Sequence, residues 1–374
     1  MADAAPTTTW HVDAPLTDVP PAVDLTIQEF LADRHAEFDG IDPVIEQGIT
    51  ELGKFVVGGK RLRPLFAWAG VRAALDGGGG QLDPGTDAAS LVRAVSSLEF
   101  IQACALIHDD IIDHSDTRRG RPTVHRSFEA RHRRDAWLGD PGAYGVSQAI
   151  LVGDLAFAWA DDMLAASGVS AEALLRARTP WRAMRTEVIA GQMLDISVEA
   201  SGSEDPEAPG KVNAYKTAAY TVERPLHVGA ALADAPAHTV EMLRSAGRDI
   251  GVAFQLEDDY LGVFGDPAVT GKASGDDLRS GKRTYLAATA LRAADATDPA
   301  AAARLRAGIG TVTSEEEVDV LRGIIVDSGA AADSTALIRS LTDRAVETLR
   351  GGGLGRSVTG ELVAVAEELT ERRS

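Results

Sequence analysis

The chain has 374 residues, 45% hydrophobic and 25% charged, which is enough apolar material for a large buried core. With 56 acidic against 37 basic residues the net charge is −19, which excludes nucleic acid as a partner, because phosphate backbones are held by clustered Lys and Arg. The one cysteine, Cys104, excludes an intrachain disulfide and a thiolate metal cage, and it fits a reducing cytoplasm. No stretch approaches the roughly 18 uninterrupted apolar residues of a membrane span.

Residues 1–22 lack a basic region followed by an apolar core, so they read as a mobile or loosely docked lead-in rather than a signal peptide. The first basic island, GGKRLRP, covers 58–64. Apolar residues at three- and four-residue spacings then predict helices over 88–113, 145–166, 171–200, 212–234, 239–264 and 356–373. A second basic island, TRRGRP, follows the first of them at 117–122. Gly and Pro collect between helices, at 76–85, 139–145, 201–210, 265–276 and 351–355. Alternating β patterns are scarce and no segment has the length of a linker. The expected fold is all-α, one helical bundle over 23–374 whose central helices are apolar on most faces.

Chemistry concentrates in three places. HDDIID brings Asp109, Asp110 and Asp113; on a helix Asp109 and Asp113 are four apart and project from one face. Carboxylates stacked this way repel unless a cation lies between them, and Mg²⁺ takes such oxygens together with substrate phosphates. A solvated acidic face is the alternative, but the apolar FIQACALI before the cluster argues against it. FQLEDDYLGVFGD holds a second cluster, Asp258, Asp259 and Asp266; Glu257 is assigned no role, a surface position being equally open to it. The third element is basic: Lys60, Arg63, Arg118 and Arg119 in the two islands, then Lys216, Lys272 and Lys282. Arg engages phosphate through a planar fork and Lys through a point charge. Singly these are surface cations; beside the acidic clusters they make a site for Mg²⁺ and two polyanions. GGGG at 77–80 lacks the Lys-Ser/Thr of a phosphate loop, and no HExxH, GxSxG or dinucleotide glycine pattern occurs.

Taken in order, GGKRLRP, DDIID with its trailing TRRG, YKTAAYT, FQLEDDYLG and GKASGDDLRSGKRT resemble the trans-isoprenyl diphosphate synthase family, from about residue 28 to the C-terminus. The resemblance implies an isoprenoid-synthase bundle around a central cavity, working as a cytoplasmic homodimer with about three Mg²⁺ ions. It implies head-to-tail condensation of isopentenyl diphosphate with an allylic diphosphate, releasing pyrophosphate. Asp109 and Asp113, with Asp110, then match positions that ligate Mg²⁺, and Asp258 matches a further metal position with Asp259 in support. Arg118, Lys216, Thr217, Gln255, Lys272 and Lys282 match positions that hold the allylic diphosphate. Lys60, Arg63, Gln102 and Arg119 match positions that hold isopentenyl diphosphate. One departure stands out: the fifth position of the second aspartate-rich motif, usually Asp, is Gly262. Weaker metal binding there is expected, with Asp266 as a partial replacement if the helix runs that far.

In this family the growing tail runs down the helix that ends in Asp109. The residues four and five before it, Ala105 and Cys104, are small where aromatic residues stop growth at fifteen carbons, which predicts a longer product. Each further turn descends roughly 5 Å, so Ile101 and Leu98 are the expected floor and a twenty-carbon geranylgeranyl product is favoured. Alternatives are a side chain from another helix setting the length, a farnesyl or longer polyprenyl product, a class I terpene cyclase, or a non-catalytic partner subunit. The cyclase lacks its Asn/Asp–Ser/Thr–Glu triad near Asp258, and a non-catalytic relative would have lost the aspartate clusters.

Overall fold

The computed structural model describes residues 10–205, 207–267 and 274–370. In chain order its elements are α1 (Val19–Phe38), α2 (Pro43–Val56), α3 (Leu62–Leu75), α4 (Ala88–Ser96), α5 (Leu98–Ile112), strands β1 (Thr117–Arg118) and β2 (Arg121–Pro122), α6 (Val124–Arg134), α7 (Pro141–Ala165), α8 (Ala171–Ser201) and α9 (Glu207–Val212). A π-helical segment (Asn213–Glu223) leads into α10 (Arg224–Leu232) and α11 (Ala237–Phe264). Then come α12 (Asp276–Ser280), α13 (Tyr285–Thr297), α14 (Pro299–Gly308), α15 (Glu315–Asp327), α16 (Ala330–Gly351) and α17 (Arg356–Thr370). The all-α expectation holds, apart from the two-residue strands. The chain divides into two units, Met1–Thr179 with Pro225–Pro236, and Pro180–Arg224 with Ala237–Ser374.

In the first unit, the helix expected over 88–113 is broken between α4 and α5. Ser96 Oγ donates to Val92 O at 2.7 Å and Ser97 Oγ to Ala94 O at 2.6 Å, so the two hydroxyls compete with the helical ladder at the bend. The stretch 88–112 has the length and apolarity to cross a membrane, but 78% of its apolar window is buried inside the protein, as a core helix requires. α5 and α6 both pack on α7. Phe30, Phe100 and Trp159 of α1, α5 and α7 meet at tilted and edge-on angles. Part of the lead-in is docked on this unit: Leu16 and Val19 are buried, Trp68 Nε1 donates to Ala14 O at 3.1 Å, and Trp10 lies edge-on to Trp68.

α3 meets α10 backbone to backbone. A Cβ on Gly70 would strike Leu226 O, and one on Gly229 would strike Ala67 O. Neither partner is a flexible side-chain end, so the helices must separate to admit a methyl group. Gly229→Ala is therefore expected to cost about 2–3 kcal/mol, read as a lowered denaturation midpoint with an unchanged slope.

In the second unit, α11 packs against α16 and against the π-helical segment. Its apolar core includes Val263, Leu286, Leu291, Leu305, Leu321 and Ile325. α15 starts at a capping box, with Glu317 N donating to Ser314 Oγ and Ser314 N to Glu317 Oε2.

Candidate active site

The first cluster closes α5. Asp113 caps the helix and its N–H donates to Asp109 O at 2.8 Å, which keeps the two carboxylates stacked one turn apart. Asp109 is mostly covered, Asp113 is exposed and Asp110 is 1% exposed. β1 and β2 pair antiparallel around Arg119-Gly120, both at positive φ, which is the backbone a two-residue hairpin turn needs. This hairpin, not anticipated from TRRGRP, turns Arg118 back on the cluster. Its Nε and Nη2 lie 2.8 and 2.7 Å from Asp110 Oδ1, and Nη2 is 3.7 Å from Asp109 Oδ2. Burial pushes the Asp110 carboxyl up to about 6 although Arg118 pulls it down. Asp110 is thus a buried anchor for Arg118, while Asp109 stays partly exposed and Asp113 is exposed.

The GGKRLRP island belongs to the same unit. Gly58 and Gly59 have φ of +77° and +106°, and the Arg119 guanidinium lies over Gly59 where a Cβ would sit, its Nη1 donating to Gly58 O at 3.3 Å. Burial holds the Arg119 pKa below the ordinary guanidinium value; Glu99 opposes this, and the cations Arg118, Arg61 and Arg63 add to it. Positive charge gathered this way favours an anion. Lys60 is exposed, Arg63 is buried and Gln102 is half-buried on α5. The island's other arginine, Arg61, received no role from the sequence. It sits at φ +50° and is buried, with Nη1 donating to Glu99 Oε2 at 2.6 Å, Nε to Asp24 Oδ1 at 2.8 Å and Nη2 to Val56 O at 2.5 Å. It fastens the island to α1, α2 and α5.

In the second unit Asp258 is exposed near the end of α11 and Asp259 is 1% exposed. Asp259 Oδ1 accepts from Gln255 Nε2 at 2.8 Å and Lys282 Nζ at 3.2 Å, and its Oδ2 accepts from Asn213 Nδ2 at 3.4 Å. Gln255 and Lys282 are therefore bound to the support carboxylate. Burial alone would lower the Lys282 pKa; Asp259, Asp277 and Asp258 more than offset this and raise it above the usual lysine value. Lys216 and Thr217 lie half-buried in the π-helical segment, and Lys216 Nζ is 2.6 Å from Asp195 Oδ2. That segment is gripped on two sides: a Cβ on Gly191 of α8 would strike the Lys216 backbone, and one on Gly251 of α11 the Ala218 backbone. π-helical turns recur at functional sites. Asp195, Asn213, Gly191 and Gly251 had no sequence signal, since none sits in a charged motif. Lys272 lies outside the described residues. Glu257, assigned no role from the sequence, is fully buried. α11 ends at Phe264, so the helix does not carry Asp266 one turn beyond position 262.

Leu98 and Ile101 are fully buried on α5, and Cys104 and Ala105 are half-buried. Cys104 Sγ lies 3.7 Å from His108 Nδ1, but burial, with the Asp154 charge, pushes the thiol from 9.0 up to about 12. The native Cys104 thiol is therefore expected to alkylate much more slowly at pH 8 than the unfolded chain, which iodoacetamide labelling of native and denatured protein checks.

Among the described residues, no group of three His, Cys, Asp or Glu converges on a metal-sized point. The donors are oxygens, Asp109 and Asp113 in the first unit and Asp258 in the second, and Asp110 Oδ2 is buried without a hydrogen-bond partner. Such a set fits a hard cation that takes one or two carboxylates and completes its shell with water and phosphate, as Mg²⁺ does.

The chain belongs to the polyprenyl synthetase family, whose model matches residues 46–324. It is 34% identical over 295 residues to a geranylfarnesyl diphosphate synthase of Aeropyrum pernix, covering 78% of this chain and 83% of that one. It is 30% identical over 318 residues to a (2E,6E)-farnesyl diphosphate synthase of Mycobacterium tuberculosis, covering 84% and 80%. A geranylgeranyl pyrophosphate synthase from Corynebacterium glutamicum, solved with isoprenyl diphosphate and magnesium, superposes with a TM-score of 0.91 at 49% identity, covering 96% of this chain and all of the other.

Proposed function

We propose that the chain is a Mg²⁺-dependent trans-prenyltransferase that joins isopentenyl diphosphate to an allylic diphosphate and releases pyrophosphate. The observation that carries this reading is the stacked Asp109–Asp113 pair with Arg118 folded back beside it on the hairpin. Asp109, Asp113 and Asp258 are the residues to hold magnesium, about three ions in all, with Asp110 and Asp259 as buried supports. When bound, magnesium neutralises charge on the departing pyrophosphate. The chain's own cations do the rest. Arg118, Lys216, Thr217, Gln255, Lys272 and Lys282 hold the allylic diphosphate, and Lys60, Arg63, Gln102 and Arg119 hold isopentenyl diphosphate. The fixed Arg and Lys charges stabilise the leaving group without reorganising as the carbon–oxygen bond breaks, and neutral Thr217, Gln255 and Gln102 contribute hydrogen bonds only. The alkene of isopentenyl diphosphate attacks C1 of the allylic cation, and the departing pyrophosphate is the base that takes the proton.

The small residues Cys104 and Ala105, above buried Ile101 and Leu98, support a product longer than fifteen carbons, with geranylgeranyl diphosphate favoured. The geranylfarnesyl and farnesyl synthases among the relatives keep longer and shorter products as competing outcomes. The single cysteine fits a cytoplasmic enzyme, and the resemblance supports a homodimer and one synthase domain over 23–374 behind the lead-in 1–22.

The test is elongation of labelled isopentenyl diphosphate on dimethylallyl, geranyl and farnesyl diphosphate with Mg²⁺, products being dephosphorylated and sized. A twenty-carbon product that shortens to fifteen in Cys104→Phe is expected. An unchanged length in that variant moves the floor elsewhere, and failure to extend any starter ends the synthase reading.

A further inference from the structure

Position 262 follows Asp258 by one turn of α11, so a side chain there would share its face. The residue is glycine, and the space is taken: a Cβ on Gly262 would fall on the Asp277 carboxyl, whose Oδ2, Cγ and Oδ1 are its three nearest neighbours. Asp277 is held there from outside α11. Arg322 of α15 donates from Nε to Val263 O at 2.8 Å and from Nη2 to Ser274 Oγ at 2.6 Å, and Ser274 Oγ donates to Gly265 O at 2.8 Å. These bonds latch the approach to α12 onto the end of α11. Gly275, at φ +75°, has Val318 where a side chain would go, and Leu278 is buried in the core. The Asp277 carboxylate lies 3.7 Å from Lys282 Nζ, whose other carboxylate partner is Asp259 at 3.2 Å.

We propose that Asp277 is the carboxylate that completes the second aspartate cluster, seated in a socket that only glycine at position 262 leaves open. The negative charge missing from the α11 face is delivered from α12, so the departure at Gly262 moves a carboxylate rather than removing one. The inference rests on the diphosphate-synthase reading for its function and on the socket alone for its geometry. Asp277 is a positioning residue: it adds charge beside Asp258 and Asp259 and sets the Lys282 ammonium between two carboxylates.

The experiment reads binding without turnover, as thermal protection of the full chain by Mg²⁺ with inorganic pyrophosphate, and compares Asp277→Gly, Gly262→Asp and the double variant. Asp277→Gly is expected to keep its melting temperature and to need about tenfold more Mg²⁺ for half-maximal protection. Gly262→Asp puts two carboxylates in one place and is expected to melt about 5 °C lower. Exchanging both restores the melting temperature and brings the Mg²⁺ requirement within about twofold of wild type, because the two positions are coupled. Losses that simply add in the double variant overturn the socket. Wild-type Mg²⁺ dependence in Asp277→Gly overturns the role of its charge while leaving the synthase reading intact. A wild-type chain that Mg²⁺ and pyrophosphate never protect overturns both.

Discussion

Asp109→Asn is expected to lower kcat by about 10³-fold, roughly 4 kcal/mol of transition-state stabilisation, with little change in melting temperature. The asparagine keeps the size and the helix position, and the Arg118 Nη2 lies 3.7 Å from the Asp109 carboxylate, a long contact. What is lost is negative charge on the accessible face of the pair. Asp110→Asn should behave differently. Asp110 is buried and takes both Nε and Nη2 of Arg118, so its amide leaves that guanidinium without its counter-charge. Melting temperature and activity should then fall together. Steady-state kinetics with both diphosphates, beside thermal melts of each variant, separate the two roles. A loss below about tenfold in Asp109→Asn would remove that residue from the proposed metal set.

Arg61→Met is expected to be the most damaging single change to the fold, at about 3–5 kcal/mol. Arg61 and Glu99 are both buried, with side-chain exposures of 2% and 6%, and the guanidinium also reaches Asp24 and the carbonyl of Val56. Methionine fills much of the volume but leaves Glu99 as a buried charge without its guanidinium. Lysine cannot replace the planar fork that serves three partners at once. Adding Glu99→Gln should recover part of the loss, because the pair is coupled. Thermal melts of the single and double variants measure this, and additive losses would show that the two side chains act independently. Arg63, two residues along and also buried, is proposed above to hold isopentenyl diphosphate, so its truncation should raise KM for that substrate more than it lowers the melting temperature.

Much of the candidate site is legible in the sequence because its chemistry is local. Asp109 and Asp113 are four residues apart, and an apolar helix leading into them says that they end a buried element. The helices expected over 145–166, 171–200 and 239–264, and the last one as far as residue 370, follow from spacing alone, since a helix buries one periodic face. The break at Ser96–Ser97 was not legible, because a hydroxyl turns back on its own helix only where packing allows the bend. The hairpin at 117–122 was missed for a related reason: two paired residues on each side carry no periodicity, and Gly120 alone marks a turn.

Residue types and their order thus determined the helical class, the two acidic clusters and the family. Tertiary structure decided which charge does what. Asp109 and Asp110 are neighbours in sequence, yet a helix turns them about 100° apart, so one keeps part of its surface exposed and the other is buried against Arg118. Asp259 is likewise drawn inward by Gln255, Asn213 and Lys282 while Asp258 stays exposed. Asp195 reaches Lys216 across 21 positions, and Asp277 reaches Gly262 from another helix. Spacing along the chain encodes neighbours within one helix; burial and charge pairing between helices are set only when separate segments pack, and those two quantities assign each carboxylate its part.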